Sequence, residues 1–576
     1  MCYYKYLLIL LFAFMIIQNN IGADTGEKES TNTVFPVKLP YEKILPGAIS
    51  DVEIMTPSSF WSGEYIMQIH QLDENGFLLE QKRGRSCKEI KPWLLARNKI
   101  SGEGIGIFLA YPGNWRIELQ ASGDNTVLRA DTIPGELPVY DEFAGLPVPG
   151  ALVTLFHGSW DNGANAIKSF IREHLLRDLG SNWPWVQYNT WFDQSEKLEV
   201  TRLLQTAQVA ADLGCELFVI DAGWYGTDSN WNYALGDWHI NRDRFPDDLT
   251  PIIDKVRSLG MKFGLWVEIE FAHPESPVVK ENPDWLLPVS TRPDRVCLDF
   301  GNAEALEWAT QEIDRLVTSY NLDYIKMDFN TNLDDIEGSE NTGMVIWNHY
   351  KGLASLWQNM RQKYPNLIME NCASGSLRAD LTSAIYTDTH WVSDNVDNWA
   401  NLVMNVGASY MFPPEMNNHW TCTPEDSEFL DVQACFRVNM FGQFGLSGPV
   451  VEWNDDALNH ARKEIALYKE LRPLIRSAEV FHLTDQAELN SPGMTQILQY
   501  TKQDHDQSVI FVFAGGEKAQ IEIKPVGLNK TESYRVSSVD EFIQDQVISG
   551  EELMQGLTIE LPEKNMSTIL NLEPVS

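Results

Sequence analysis

Basic side chains are scarce in this sequence. Against 81 Asp and Glu stand only 44 Lys and Arg, for a net charge of −37 and a pI near 4.6. A surface of that sign repels a phosphate backbone or an anionic bilayer, so neither nucleic acid nor a lipid surface is an expected partner. A neutral substrate is. Metal chemistry also has little to work with, because the 11 His show no paired ligand spacing and the seven Cys include no CxxC. After Cys2 there remain Cys87, Cys215, Cys297, Cys372, Cys422 and Cys435. Three of these, Cys215, Cys297 and Cys372, lie in or beside strand-like runs, which predicts buried thiols and few or no disulfides. No internal repeat and no low-complexity linker interrupts the chain. The apolar run at 7–17 is about half the ~20 residues that a membrane-spanning helix needs, which argues against a membrane span. With Lys5 before it and Gln18-Asn19-Asn20 after it, the run predicts a signal peptide over 1–23 and export to the periplasm or beyond.

A length of 576 residues is too great for one ordinary core and predicts a large catalytic domain with smaller companions. Short alternating runs such as 65–70 and 106–111, separated by Gly, Pro, Asn and Asp, predict an antiparallel β-sandwich that ends with a linker helix near 162–176. The first domain is thus set at 24–176. From 177 to 475 strand-like and helical runs alternate, with strands expected at 185–191, 217–224, 262–270, 296–300, 324–329, 367–372, 387–393 and 407–412. Eight such runs predict a central (β/α)8 TIM barrel. A helix-rich stretch over 426–475 follows, and alternating runs such as 508–513 predict an antiparallel C-terminal β-domain over 476–576.

In such a barrel the functional side chains emerge at the C-terminal ends of the strands. Here those ends carry Asn189 and Trp191, Asp221 and Trp224, Trp266, Glu268 and Glu270, Asp299, Lys326, Asp328 and Asn330, Glu370 to Cys372, and Asp394 with Asp397. The 19 Trp fit a sugar site, since indole faces pack on the C–H faces of pyranose rings. Glycoside cleavage requires one carboxylate to trap an oxocarbenium-like centre and one carboxylic acid to protonate the leaving oxygen. Asp328 and Asp394 are the candidates. Lys326, two residues before Asp328 and on the same strand face, is expected to keep Asp328 ionised. Acids and Trp391 near Asp394 suit a proton donor.

These residues resemble glycoside hydrolase family 36, whose best-known members are retaining α-galactosidases. The resemblance runs in order through Gly84-Arg85-Ser86, Tyr111-Pro112-Gly113-Asn114-Trp115, Asn189-Thr190-Trp191 and Asp221-Ala222-Gly223-Trp224-Tyr225. It continues through Gly264-Leu265-Trp266-Val267-Glu268, Lys326-Met327-Asp328-Phe329-Asn330, Glu370 to Cys372 with Ser374-Gly375, and Ser393-Asp394-Asn395-Val396-Asp397. It implies that Asp328 is the nucleophile and Asp394 the acid/base. It also implies that Asp221, Trp191, Trp266, Lys326, Asn330 and Cys372 line a sugar subsite, with no cofactor and no metal. The partner it implies is an oligosaccharide or polysaccharide substrate.

Departures from the family pattern surround the same pocket. Ala222 stands where a second hydroxyl-reading Asp is usual, Met327 where Trp is common, Thr331 in place of Arg and Ser376 in place of Gly. The alternatives therefore include an α-N-acetylgalactosaminide, a β-L-arabinopyranoside or another glycan as substrate, and a non-catalytic carbohydrate-binding relative. Exo or endo action and oligomeric state stay open.

Overall fold

A computed structural model describes residues 32–133, 135–227, 230–287, 292–333, 342–502, 507–515, 520–563 and 566–575. The expected signal segment, 1–23, lies outside them. Near the N-terminus two antiparallel sheets face each other. The larger orders its strands as Thr33–Lys38, Gly150–His157, Glu103–Ala110, Trp93–Asn98, Val52–Phe60 and Gly63–Gln71, with Glu89–Ile90 added to Val52–Phe60. The smaller runs Tyr41–Pro46, Asn125–Thr132, Trp115–Ser122 and Phe77–Gln81. Strand alternation shows why the larger sheet is apolar on both faces. Along Glu103–Ala110, Ile105, Ile107 and Leu109 fill the sandwich core, while Phe108 and Ala110 join the core shared with the barrel. The sandwich is thus welded to the barrel through a second buried face.

Eight parallel strands close the barrel: Gln187–Asn189, Leu217–Ile220, Lys262–Val267, Tyr324–Met327, Ile368–Asn371, Thr389–Trp391, Asn417–Thr421 and Gln443–Ser447. They are called strands one to eight below. Six coincide with expected runs and two do not. The run at 296–300 is not a barrel strand, because Val296–Leu298 pairs antiparallel with Phe271–Ala272 and Leu286–Leu287 outside the barrel. The run at 407–412 belongs to the helix Asn398–Met411 and the residue after it. Every residue of that helix is buried. Its polar side chains, Asn398, Asn401, Asn405 and Ser409, share one buried, hydrogen-bonded face, but the run 407–412 holds only the last of them, too short a window to show a 3.6-residue period, so the helix end reads as a strand. Strand seven, Asn-Asn-His-Trp-Thr, and strand eight, inside the stretch read as helix-rich, were hidden because each is short, and strand seven is polar although buried.

The helix Asp455–Ile475 leads to a six-stranded antiparallel sheet, Glu479–His482, Gln496–Thr501, Ser508–Phe513, Ser567–Pro574, Ser533–Ser538 and Gln546–Ser549 in spatial order, with a two-stranded companion. This domain is tied to the barrel by charge as well as by packing. Arg437 has a side chain with no exposed surface, meets Asp540 at 2.6 and 2.7 Å and Glu464 at 3.0 Å. Removing one partner strands a buried guanidinium, so Asp540→Ala is expected to destabilise the fold by about 3 kcal/mol, the lower end for a broken buried pair because Glu464 remains. A denaturant midpoint unchanged within error would contradict this.

All six cysteines after Cys2 are buried free thiols. Among the described residues no helix is long and apolar enough to cross a membrane.

Candidate active site

Asp328 follows strand four directly, where the backbone leaves the barrel and its side chain enters the mouth. Four donors hold its carboxyl. Trp266 Nε1 from strand three, at 3.1 Å, and Asn330 Nδ2, at 2.8 Å, donate to Oδ2. The N–H groups of Phe329, at 2.8 Å, and Ser374, at 3.3 Å, donate to Oδ1. Burial pushes this carboxyl up, but the Lys326 ammonium and the Asn330 and Cys372 side chains outweigh burial and hold it below the usual carboxylate value.

Asp394 lies three residues beyond strand six and has the opposite bias. Burial, followed by the charge of Asp328, pushes it above the usual value, although two indoles donate to it. These are Trp391 Nε1 to Oδ1 at 3.0 Å and Trp61 Nε1 to Oδ2 at 2.9 Å. Two carboxyls within reach of each other's field are thus driven apart, one toward the anion and one toward the acid.

Around them the other expected site residues come together. Asp221 Oδ2 receives Asn189 Nδ2 at 2.8 Å and Lys326 Nζ at 3.1 Å. Lys326 therefore acts on Asp328 through space while its ion pair is with Asp221. Its ammonium also sits 4.5 Å from the ring centre of Trp420 and 5.4 Å from that of Trp391. Burial would lower its pKa, yet Asp221, Glu370 and Asp328 raise it on balance, so it is a fixed cation. Trp266 stacks on Tyr225 and meets the edge of Trp231, and Trp191 meets Trp231 from the other side. Cys372 is buried beside Trp391, Trp420 and Trp191. Asn330 bridges Asp328 to Glu268 and accepts from Ser374 Oγ at 2.9 Å.

Three acids, two just after strand three and one in the segment beyond strand five, are held in scaffold contacts. Glu268 pairs with Arg295 at 2.6 Å, Glu270 takes a two-pronged contact from Arg378 and a third from His349, and Asp380 caps the helix Leu381–Tyr386. Among the described residues no group of three or more His, Cys, Asp or Glu is arranged to hold a metal.

The residue that sequence reasoning missed is Trp61. It sits at the tip of the N-terminal hairpin, is 60% exposed, and reaches the barrel mouth from a different domain. Its signal was present: Trp61, directly after Phe60, occupies a two-residue turn with Ser62 between two strands, where polar turn-formers are usual. Trp420 was missed with strand seven.

The profile of the Melibiase family matches residues 150–478, more than half of the chain. The chain belongs to that family. The chain is 27% identical to an α-galactosidase of Lactobacillus acidophilus over 88% of its own length and 70% of that relative's. It is 29% identical to an α-galactosidase of Escherichia coli over 76% and 64%. The chain thus spans about two thirds of the length of the curated relatives it matches. In fold it is similar to the family 36 α-galactosidase AgaA of Geobacillus stearothermophilus, with a TM-score of 0.82 at 21% identity, over 93% of this chain and 76% of that one. Family membership places the chain among the O-glycoside hydrolases of α-galactosidase type.

Proposed function

We propose that this protein is a retaining glycosidase that cleaves terminal α-galactosidic or closely related linkages by double displacement. Asp328 attacks the anomeric carbon while Asp394 gives its proton to the departing glycosidic oxygen. The resulting glycosyl–aspartate is then opened by water, which Asp394, now a base, deprotonates. The observation that carries this reading is the split between the two acids. Four donors and a through-space cation favour the Asp328 anion, and burial beside that anion favours protonated Asp394. Activity in kcat/KM should accordingly rise on an acid limb below the usual carboxylate range, as Asp328 ionises. It should fall on an alkaline limb above that range, as Asp394 loses its proton.

The sugar is read by the ring of Asp221, Asn189, Lys326, Trp191, Trp266, Asn330 and Cys372. A crystal structure of a Geobacillus relative holds raffinose, which supports an oligosaccharide as substrate here. The test is a panel of aryl α-galactosides, α-N-acetylgalactosaminides, α-glucosides and β-L-arabinopyranosides. Cleavage of none of them by the folded protein would favour a binding relative instead.

Ala222 bears on the choice. It is buried, and its N–H donates to Asp221 Oδ1 at 2.9 Å, so the family's second carboxylate is replaced by a methyl group against the sugar-reading acid. A desolvated and unpaired sugar hydroxyl costs about 1–3 kcal/mol. Wild type is therefore expected to be sluggish on aryl α-galactoside, and Ala222→Asp to improve kcat/KM by roughly 10-fold, the equivalent of ~1.4 kcal/mol. If the wild-type value already lies within about 10⁴–10⁸ M⁻¹s⁻¹ and the substitution lowers it, specificity is plain α-galactosidase. The proposal includes export, supported by the layout of 1–23 and tested by N-terminal sequencing of protein recovered outside the cytoplasm.

A further inference from the structure

The hairpin that brings Trp61 to the mouth carries a second functional group. Its strands slip in register: Ser59 faces Glu64 and Ser58 faces Ile66, which leaves Tyr65 as an extra residue with φ of 61°. A residue with a Cβ adopts that conformation reluctantly, and bulges of this kind re-aim side chains. Here consecutive residues bury side by side against the barrel. Tyr65 Oη lies 2.9 Å from His390 Nε2, and Ser393 Oγ donates to Glu64 Oε2. Glu64 is fully buried, and its Oε1 has no hydrogen-bond partner among the described residues. That oxygen faces Gly375. A Cβ on Gly375 would fall 2.5 Å from Glu64 Oε1, 3.2 Å from Ser393 Cα and 3.3 Å from Asp394 N. Glycine, at φ of 81°, thus admits a carboxyl against the backbone that carries Asp394. The neighbouring Ser374 N–H holds Asp328.

We propose that Glu64 is a positioning residue for proton transfer: it clamps the Ser393–Asp394 turn and, as a second carboxyl beside Asp394, keeps the Asp394 proton in place to higher pH. This rests on Asp394 being the acid/base. The groups around Glu64 come from several elements. Asp394 and Ser393 come from the loop after strand six, Lys91 and Lys88 from the segment leading to Trp93–Asn98, and Tyr65 from its own strand. Lys91 is itself buried, donates to Ser376 O and Oγ at 2.9 Å, and is pushed down to about 8 by burial. Burial pushes Glu64 up to about 7; the Ser393 hydroxyl and Lys91 oppose this, and the charge of Asp394 adds to it. Asp394 lies among the charges that raise Glu64, and by reciprocity an ionised Glu64 disfavours loss of the Asp394 proton.

Glu64→Gln keeps the shape and an acceptor for Ser393 Oγ but removes the charge. With an aryl glycoside of poor leaving ability, of whichever sugar the panel selects, its alkaline limb is expected to move down by ~0.5–1 pH unit. The acid limb, set by Asp328, should stay. A dinitrophenyl glycoside needs no proton to depart, so its rate should hardly change. Superimposable pH profiles, or an equal loss on both substrates, overturn the proposal. Ser393→Ala breaks the bridge while leaving both carboxyls and should shift the limb in the same direction, so the absence of a shift there overturns it even where Glu64→Gln does not fold. Asp394→Ala, measured alongside, separates the two claims. If its loss of kcat/KM is confined to the poor leaving group while that of Glu64→Gln is not, only the role of Glu64 fails. An equal loss of kcat/KM, which reports glycosylation, on both substrates in Asp394→Ala removes the acid/base assignment and this proposal with it.

Discussion

Asp328→Ala is expected to lower kcat/KM on the preferred aryl glycoside by about 10⁴-fold or more, the scale seen when a hydrolase loses a group that forms bonds in the transition state. The loss should be repairable. Alanine leaves a space beside Trp266 and Asn330, and their N–H donors, at 3.1 and 2.8 Å from Oδ2, remain to bind a small anion. Azide in that space can attack the anomeric carbon once, giving a glycosyl azide of inverted configuration. Fixed donors without a partner should also make the variant bind azide measurably in the absence of sugar. Recovery of activity with azide but with hydrolysis product only, or no recovery on an activated substrate, would remove Asp328 from the nucleophile's role.

Asp394→Ala should behave differently. Its two indole donors, Trp61 and Trp391, cannot protonate a leaving group, because an indole N–H is a hydrogen-bond donor and not an acid in this range. Glycosides that need a proton to depart should lose about 10²–10⁴-fold, the usual contribution of general acid catalysis. Dinitrophenyl glycosides should still form the glycosyl–enzyme rapidly and then stall, since the base that activates water is also missing. Steady-state kcat would be low with a burst of one equivalent of phenol. The alkaline limb of the pH profile should disappear as well, because the group that titrates there is gone. Equal losses with both leaving groups, with the limb intact, would mean that another acid does this work.

Legibility of the sequence followed the physics of each element. Strands two to four were readable because apolar runs such as Leu217–Ile220 and Tyr324–Met327 end at chemistry-bearing residues, and the barrel then dictates that those ends converge. The buried polar strand Asn417–Thr421 was invisible, since the side-chain N–H groups of Asn418 and Trp420 donate to Gln187 and Glu370 across the barrel interior, a pairing that no local pattern records. The decoy strand Val296–Leu298 is a true strand with antiparallel partners, and sequence shows strands more readily than their partners. The site was legible where it lies on barrel strands. Trp61 and Glu64 were not, because they reach it from a hairpin more than 300 residues from Asp394 in sequence, aimed by a bulge at Tyr65. Motif reading finds what one strand end presents; it does not find what a second domain lends.

The most direct measurement is the anomeric configuration of the first-released sugar, followed by proton NMR during rapid turnover of the preferred α-glycoside. The account predicts that the α-anomer appears first and the β-anomer only later, by mutarotation, because two displacements at the same carbon restore the original configuration. Initial appearance of the β-anomer would mean a single displacement by water, with Asp328 as a base, and would contradict the glycosyl–aspartate mechanism.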